Sequence, residues 1–334
     1  MVNLDTVKIQ FHRDLALNYN SDYFRYKTEE TDDNYVITSH KLKKLHKRTG
    51  LKDITINENN VIIDFGSKIL PGRYKEMINL NTMEEYLKEI TLTGIIDFNT
   101  NDIISQSSIL SCDVTNNMTV ESVPECINNL IIFKLNDKYT LEYYPNQTLI
   151  FTRDVKTKSV KEKLVLYNKY DELYLKRNEK FRDKINVDEY KNILRIESRF
   201  ENHELIRQSF KTDNLNFLSI LSSDEKINHN IFNRITNIKD IKNIETFTNN
   251  QTLFEMKEKL SYSKIRNLHG DIGIIQSCNH DIDLIKRFFK INSTANNSAK
   301  IRHLSKLSLA LKKSESNNNV DDMVNEIKQF LKSA

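Results

Sequence analysis

The sequence predicts an α+β fold: an N-terminal domain built on a mixed or antiparallel sheet, then a mostly helical C-terminal domain. Two observations carry this. Period-two alternation of apolar and polar residues recurs through residues 1–200, and after about residue 204 it gives way to helix-like segments. The domains are placed at 1–208 and 209–334.

Thr6-Val7-Lys8-Ile9-Gln10-Phe11 alternates with period two, and Asn60-Val61-Ile62-Ile63-Asp64-Phe65 does so in part. Residues 80–92 read as a helix: Met83, Tyr86, Leu87 and Ile90 share one face, Asn81 or Thr82 suits the cap, and Glu84 and Glu85 occupy the first turn. Strands are predicted at 109–115, 130–135, 139–144, 148–153, 162–168 and 193–200, with a turn at Asn116-Asn117 and a helix from Asp171 to Arg182. Further helices are read at 251–260, 281–291, 299–313 and 320–332, the last preceded by a polar linker over residues 314–319.

Composition narrows the function. With 38% hydrophobic and 29% charged residues, the 334-residue chain can bury a real core and stay soluble. Six glycines and three prolines argue against long linkers and glycine-rich phosphate loops, and no GxGxxG or Walker-type pattern occurs. Cys112, Cys126 and Cys278 form no CxxC pair, which argues against a zinc knuckle and for a reducing, cytoplasmic setting. No signal peptide and no membrane association are expected.

The chemistry concentrates in Leu164-Val165-Leu166-Tyr167-Asn168-Lys169-Tyr170-Asp171-Glu172-Leu173, where tyrosines, a lysine and carboxylates crowd the end of an apolar run. A phenol, a cation and a metal-binding carboxylate are the groups needed to attack a phosphodiester with tyrosine. Strand periodicity puts Ser111 and Asp113 on one face of their strand, and Arg195, Glu197 and Arg199 on one face of another. In one sheet, Asp113 and Glu197 can meet, with Glu172 as a possible third ligand; such oxygen donors suit Mg²⁺ or Mn²⁺ better than zinc. Taken singly, each acid has the plain alternative of a solvated or Arg-paired strand residue, and Tyr167 that of a packed aromatic.

The order Ser111-Cys112-Asp113-Val114-Thr115, Thr148-Leu149-Ile150-Phe151, Leu166-Tyr167-Asn168-Lys169-x-x-Glu172-Leu173 and Leu194-Arg195-Ile196-Glu197-x-Arg199 resembles the phage and plasmid rolling-circle replication initiators. The similarity is greatest to the filamentous-phage gene II/X-type group and more distant to the staphylococcal plasmid initiators. Leu4-Asp5-Thr6-Val7-Lys8-Ile9 and Gly66-Ser67-Lys68 resemble that group too, so coverage is about residues 1–210. The resemblance implies a nicking-and-joining nuclease domain that opens one strand of origin DNA through a 5′-phosphotyrosyl link, with a divalent metal. Tyr167 would be the nucleophile, Lys169 a phosphate-stabilising cation, and Asp113, Glu172 and Glu197 the metal site. Tyr170 is a second candidate nucleophile, against the plainer reading of a helix-face aromatic. The His-hydrophobic-His metal motif of many relatives in the wider superfamily is missing, so an acidic site must replace it. Implied partners are single-stranded or supercoiled origin DNA and a bacterial host's helicase and polymerase.

Basic patches point the same way. Residues 153–184 hold eleven Lys/Arg against six Asp/Glu, and residues 284–314 hold eight Lys/Arg and no acid. A third cluster, Lys41, Lys43, Lys44, Lys47 and Arg48, lies beside His40 and His46. Arg195, Arg199, Lys286, Arg287, Lys300, Arg302 and Lys306 are the candidate DNA contacts, with a solvated helix face as the plain alternative. The rival function is a non-enzymatic DNA-binding replication or transcription regulator, which needs only the basic surface; a structural protein is a third.

Overall fold

The computed structural model describes residues 2–30, 35–132, 139–144, 146–153, 162–236 and 317–334, with single positions 274, 283, 285, 286, 301 and 304. Twelve strands are described: β1 Leu4–His12, β2 Ala16–Tyr19, β3 Phe24–Glu30, β4 Tyr35–Leu42, β5 Leu51–Asn57, β6 Asn60–Gly66, β7 Ile96–Phe98, β8 Ser108–Thr119, β9 Tyr139–Tyr144, β10 Thr148–Arg153, β11 Lys163–Asn168 and β12 Ile193–Phe200. Ten of them form one antiparallel sheet in the order β3-β4-β5-β6-β1-β8-β12-β11-β10-β9, and β2 pairs with β7 separately. The helices are α1 Met83–Leu92, α2 Thr100–Gln106, α3 Val123–Ile132, α4 Lys169–Tyr174, α5 Glu179–Arg182, α6 His203–Phe210, α7 Phe217–Leu221, α8 Ile227–Thr236 and α9 Asn317–Ser333. The fold is therefore α+β around a large antiparallel sheet. Among the described residues no helix is long and apolar enough to cross a membrane.

Alternation gives the sheet two unlike faces. Val7, Ile9 and Phe11 of β1, Ile54 and Ile56 of β5, and Val61, Ile63 and Phe65 of β6 are buried on one face. Leu149 and Phe151, Leu164 and Leu166, and Leu194, Ile196 and Phe200 continue it across β10, β11 and β12. Buried residues of α1 (Tyr86, Leu87, Ile90) and of α6, α7 and α8 (among them Ile206, Ile220 and Phe232) complete the core. Each such aliphatic or aromatic side chain contributes roughly 1.5–3 kcal/mol on burial.

Contacts between Cα atoms divide the chain into two compact units. The first comprises Met1–Ile127, Asp137–Arg234 and Lys328–Ala334, and the sheet and the site below belong to it. It runs past residue 208 because α8 is pinned to the sheet. Asn228 accepts a short hydrogen bond from Ser198 and donates to the Val114 and Ile196 carbonyls (both 3.2 Å) and to Oδ1 of Asn116 (2.7 Å). Of the second unit, Asn128–Asn136 and Ile235–Ile327, residues 128–132, 235–236 and 317–327 are described, with the single positions 274, 283, 285, 286, 301 and 304.

Four local expectations need correction. Asn116-Asn117 is not a turn: both residues stay in β8, paired with Ile196 and Arg195, and their side-chain oxygens accept from Asn228 and Arg195. Residues 130–132 are helical, since Val123, Ile127 and Leu130 continue a buried helical stripe; 133–135 lie outside the described residues. The helix expected over 171–182 breaks into α4 and α5 at Leu175, whose backbone is extended (ψ 140°). Residues 317–319 belong to α9 and not to a linker, and 314–316 lie outside the described residues.

Candidate functional site

The second face of the sheet carries a polar cleft of about 610 Å³. Neighbouring strands β8 and β12 set its centre: Asp113 is in register with Arg199, and Glu197 with Thr115. Asp113, Glu197 and Arg199 therefore face the cleft together, as alternation requires. Burial, and next the Glu197 charge, push the Asp113 carboxyl up to about 8, although Arg199 and Lys52 pull the other way. The neighbouring Glu197 charge thus disfavours the ionised form of Asp113. Nε of Arg199 donates to Oε1 of Glu197 at 2.6 Å.

Tyr167 reaches the same place from β11. Its hydroxyl donates to Oε2 of Glu197 at 3.0 Å. The residue is 8% exposed yet lines the cleft. Burial, followed by the Glu197 charge, raises its phenol well above the usual range. Asn168 fixes the strand-to-helix corner behind it, because its side chain caps α4 by accepting from the Tyr170 (3.1 Å) and Asp171 (3.4 Å) amides.

A buried charge network underlies one end of the cleft. Lys169 is fully buried and donates to Oε2 of Glu172 at 2.7 Å. Lys68 donates to Oε1 of Glu172 (3.0 Å) and to Asn178 (2.9 Å), and Asn178 donates back to Oε1 of Glu172 (2.9 Å). Burial would raise Glu172, but Lys169 and Lys68 outweigh it and hold it at about 2. For Lys169, burial and then Arg195 lower the ammonium to about 8 against the pull of Asp5 and Glu172. Arg195 is also fully buried, with Nη1 3.1 Å from Oδ2 of Asp5 and Nε donating to Asn117 at 2.8 Å. The Tyr74 ring covers both cations, 5.1 Å from Nζ of Lys169 and 5.6 Å from the Arg195 guanidinium. Tyr74 packs in turn on Leu173, Phe181 and Tyr190.

Gly50 shapes the wall that carries Lys68. Its φ is +84°, and a Cβ there would lie 2.0 Å from the Ile69 amide nitrogen, so only glycine fits.

Comparison with protein-family models, with curated proteins and with solved structures finds no match. The site therefore stands on its own geometry, and that geometry sorts the candidates. Tyr167, Asp113 and Glu197 are brought together, with Arg199 beside them. Glu172 lines the cleft, and its oxygens are occupied by Asn178 and by Lys68 and Lys169, to which it is a counter-ion. Among the described residues no group of three or more His, Cys, Asp and Glu is arranged to hold a metal. Lys169 and Arg195 are fully buried and do not line the cleft. Tyr170 does not line the cleft; its hydroxyl donates to that of Tyr174 at 3.2 Å. Lys286 is exposed and paired with Asp283 at 2.8 Å, whereas Arg287, Lys300, Arg302 and Lys306 lie outside the described residues. Sequence reasoning did not assign roles to Asp5, Lys68, Tyr74 and Asn178. Only the resemblance of the stretches around Asp5 and Lys68 flagged those two.

Proposed function

We propose that this cleft is the active site of a nicking-and-joining enzyme for single-stranded DNA, of the kind that initiates rolling-circle replication. The hydrogen bond from Tyr167 to Glu197, in a polar cleft that also holds Asp113 and Arg199, is the observation that carries this reading. Oη of Tyr167 attacks the scissile phosphorus and passes its proton to Oε2 of Glu197. The P–O3′ bond breaks, the 3′ oxygen takes a proton from water, and the 5′ phosphate remains on the tyrosine. Arg199, Lys68 and Lys52 line the cleft and supply positive charge for the phosphate. Lys169 acts from below by fixing Glu172 and the Tyr167 ring, which lies 5.7 Å from its Nζ.

The donor set fits a divalent cation. Asp113, with its displaceable proton, and Oε1 of Glu197 would hold Mg²⁺ or Mn²⁺ through two carboxylates, the commonest kind of protein ligation for Mg²⁺ beside a phosphate. Arg199 would have to release Oε1, and its side chain is 42% exposed, with room to do so. When bound, such an ion polarises a phosphate oxygen as a Lewis acid.

The direct experiment incubates the full chain with a randomised single-stranded oligonucleotide pool and Mg²⁺ or Mn²⁺, then looks for DNA that stays attached in denaturing gels. A Tyr167-dependent adduct supports the enzyme; its absence, with binding intact, favours a non-enzymatic DNA-binding regulator. One observation favours that second reading: Tyr167 is buried and its phenol is strongly held protonated. In the first reading the chain works in a bacterial host's cytoplasm, on origin DNA, with the host helicase and polymerase.

A further inference from the structure

The outer side of α4 carries an aromatic surface that the proposed chemistry does not use. The Tyr170 and Tyr174 rings lie 4.8 Å apart at 49°, with Tyr174 50% exposed. The Arg182 guanidinium sits 4.9 Å from the Tyr174 ring centre, and Nζ of Lys191 5.9 Å from that of Tyr170. Lys176, Arg177 and Lys180 are exposed just beyond, on the segment joining α4 to α5 and in α5 itself. The platform is continuous with the cleft: Asp171, Leu175 and Arg177 line it, while Tyr170 and Tyr174 occupy the adjoining side of the same short helix. A large exposed ring, braced by a second ring and flanked by cations, offers a π-face to a flat partner and positive charge to an anionic one.

We infer that Tyr174, braced by Tyr170 and Arg182, is a stacking platform for a base of a single-stranded nucleic acid flanking the cleft. Single strands combine an unstacked base with a phosphate next to it, and this surface combines an exposed ring with cations. A duplex keeps its bases stacked on each other and presents no such face. The inference deepens the proposed function by naming how the substrate strand is held, but it concerns binding alone and does not need cleavage.

The test measures fluorescence anisotropy of the full chain with labelled oligo-dT, oligo-U, an abasic oligonucleotide of equal length and a duplex, without divalent metal. Base–aromatic stacking leads us to expect that Tyr174→Ala weakens oligo-dT binding about tenfold. The abasic strand and the duplex should be unaffected, and the salt slope should not change because no phosphate contact is lost. Tyr174→Phe should restore the affinity, since the ring and not the hydroxyl does the stacking. The oligo-U arm tells whether the platform accepts both sugars. Equal losses on abasic and normal strands, an unchanged Tyr174→Ala affinity, or no binding of oligo-dT by the wild-type chain would each overturn the platform. Failure of the nicking reading looks different: base-dependent binding through Tyr174 with no covalent adduct from Tyr167.

Discussion

The Tyr167 hydroxyl and the Glu197 carboxylate meet at 3.0 Å across two adjacent strands, β11 and β12. Their backbones are not opposite each other, since Tyr167 is in register with Arg195, so the contact runs diagonally across the pleat. Tyr167→Phe removes the attacking oxygen while keeping the ring. We predict that it abolishes covalent attachment to DNA, leaves oligonucleotide affinity within about twofold, and costs about 1 kcal/mol of stability for one buried hydrogen bond. Tyr170→Phe should leave the adduct yield unchanged, because the Tyr170 hydroxyl is paired with that of Tyr174 and the residue does not line the cleft. Gel assays of the two variants decide between the tyrosines, and an adduct in Tyr167→Phe would remove it as the nucleophile.

Cation binding at Asp113 and Glu197 gives a second expectation. Asp113→Asn should lower Mn²⁺ affinity roughly tenfold or more by deleting one anionic ligand. Arg199→Ala should raise it, by about tenfold at low ionic strength, because it removes the cation that holds Oε1 of Glu197 at 2.6 Å. Titration calorimetry or the electron-spin signal of free Mn²⁺ reads both. Parallel losses in the two variants would mean that Arg199 supports the pair and does not compete for it.

Glu172 sets a pH dependence. Its carboxyl is held at about 2, below its ordinary value of 4.5, by Lys169 and Lys68 against the cost of burial. A depressed folded-state value means that its stabilising contribution is complete above about pH 4.5 and is lost as pH falls towards 2. The contribution is on the order of 3 kcal/mol. Glu172→Gln should be less stable than wild type at pH 7 by about that much, since Lys169 loses its buried counter-ion. The gap should close between pH 4.5 and 2. Urea midpoints at pH 7, 4 and 2.5 test this, and a constant gap would show that Glu172 stabilises through shape and not charge.

The large sheet and the placing of Asp113 and Glu197 on one face of adjacent strands were legible because alternation fixes which face a strand residue takes, and both acids fall on the polar face. Tyr167 was legible for the same reason, being two positions beyond Val165 on the cleft side of β11. What alternation cannot reveal is whether a polar face is covered. Arg195 and Glu197 have the same parity in β12, yet Tyr74, arriving from a loop far upstream, seals Arg195 while Glu197 stays at the cleft. The Asp5 partner of Arg195 sits where the β1–β8 register shifts, between Leu4 and Thr6, and a period-two reading has no place for that irregularity. Asn116 and Asn117 mislead for a related reason. Asparagine is a common turn former, but here both amides find side-chain partners that keep them extended in the sheet.

Asn228 provides the test of where the first unit ends. Its amide nitrogen serves two sheet carbonyls and Asn116, and its oxygen accepts from Ser198, all in a buried setting. Asn228→Ala leaves the Ser198 hydroxyl and the Asn116 oxygen without that partner and opens a small void, so we predict a loss of about 3 kcal/mol. Asn228→Leu fills the volume but cannot donate or accept, and should be at least as destabilising, because unmet polar groups cost more than a cavity of this size. If α8 belongs to the sheet unit, both variants should lower the single cooperative unfolding transition of a chain cut after residue 236. If that shortened chain unfolds with the wild-type midpoint in either variant, α8 is a passenger on the sheet and the cooperative unit ends before it.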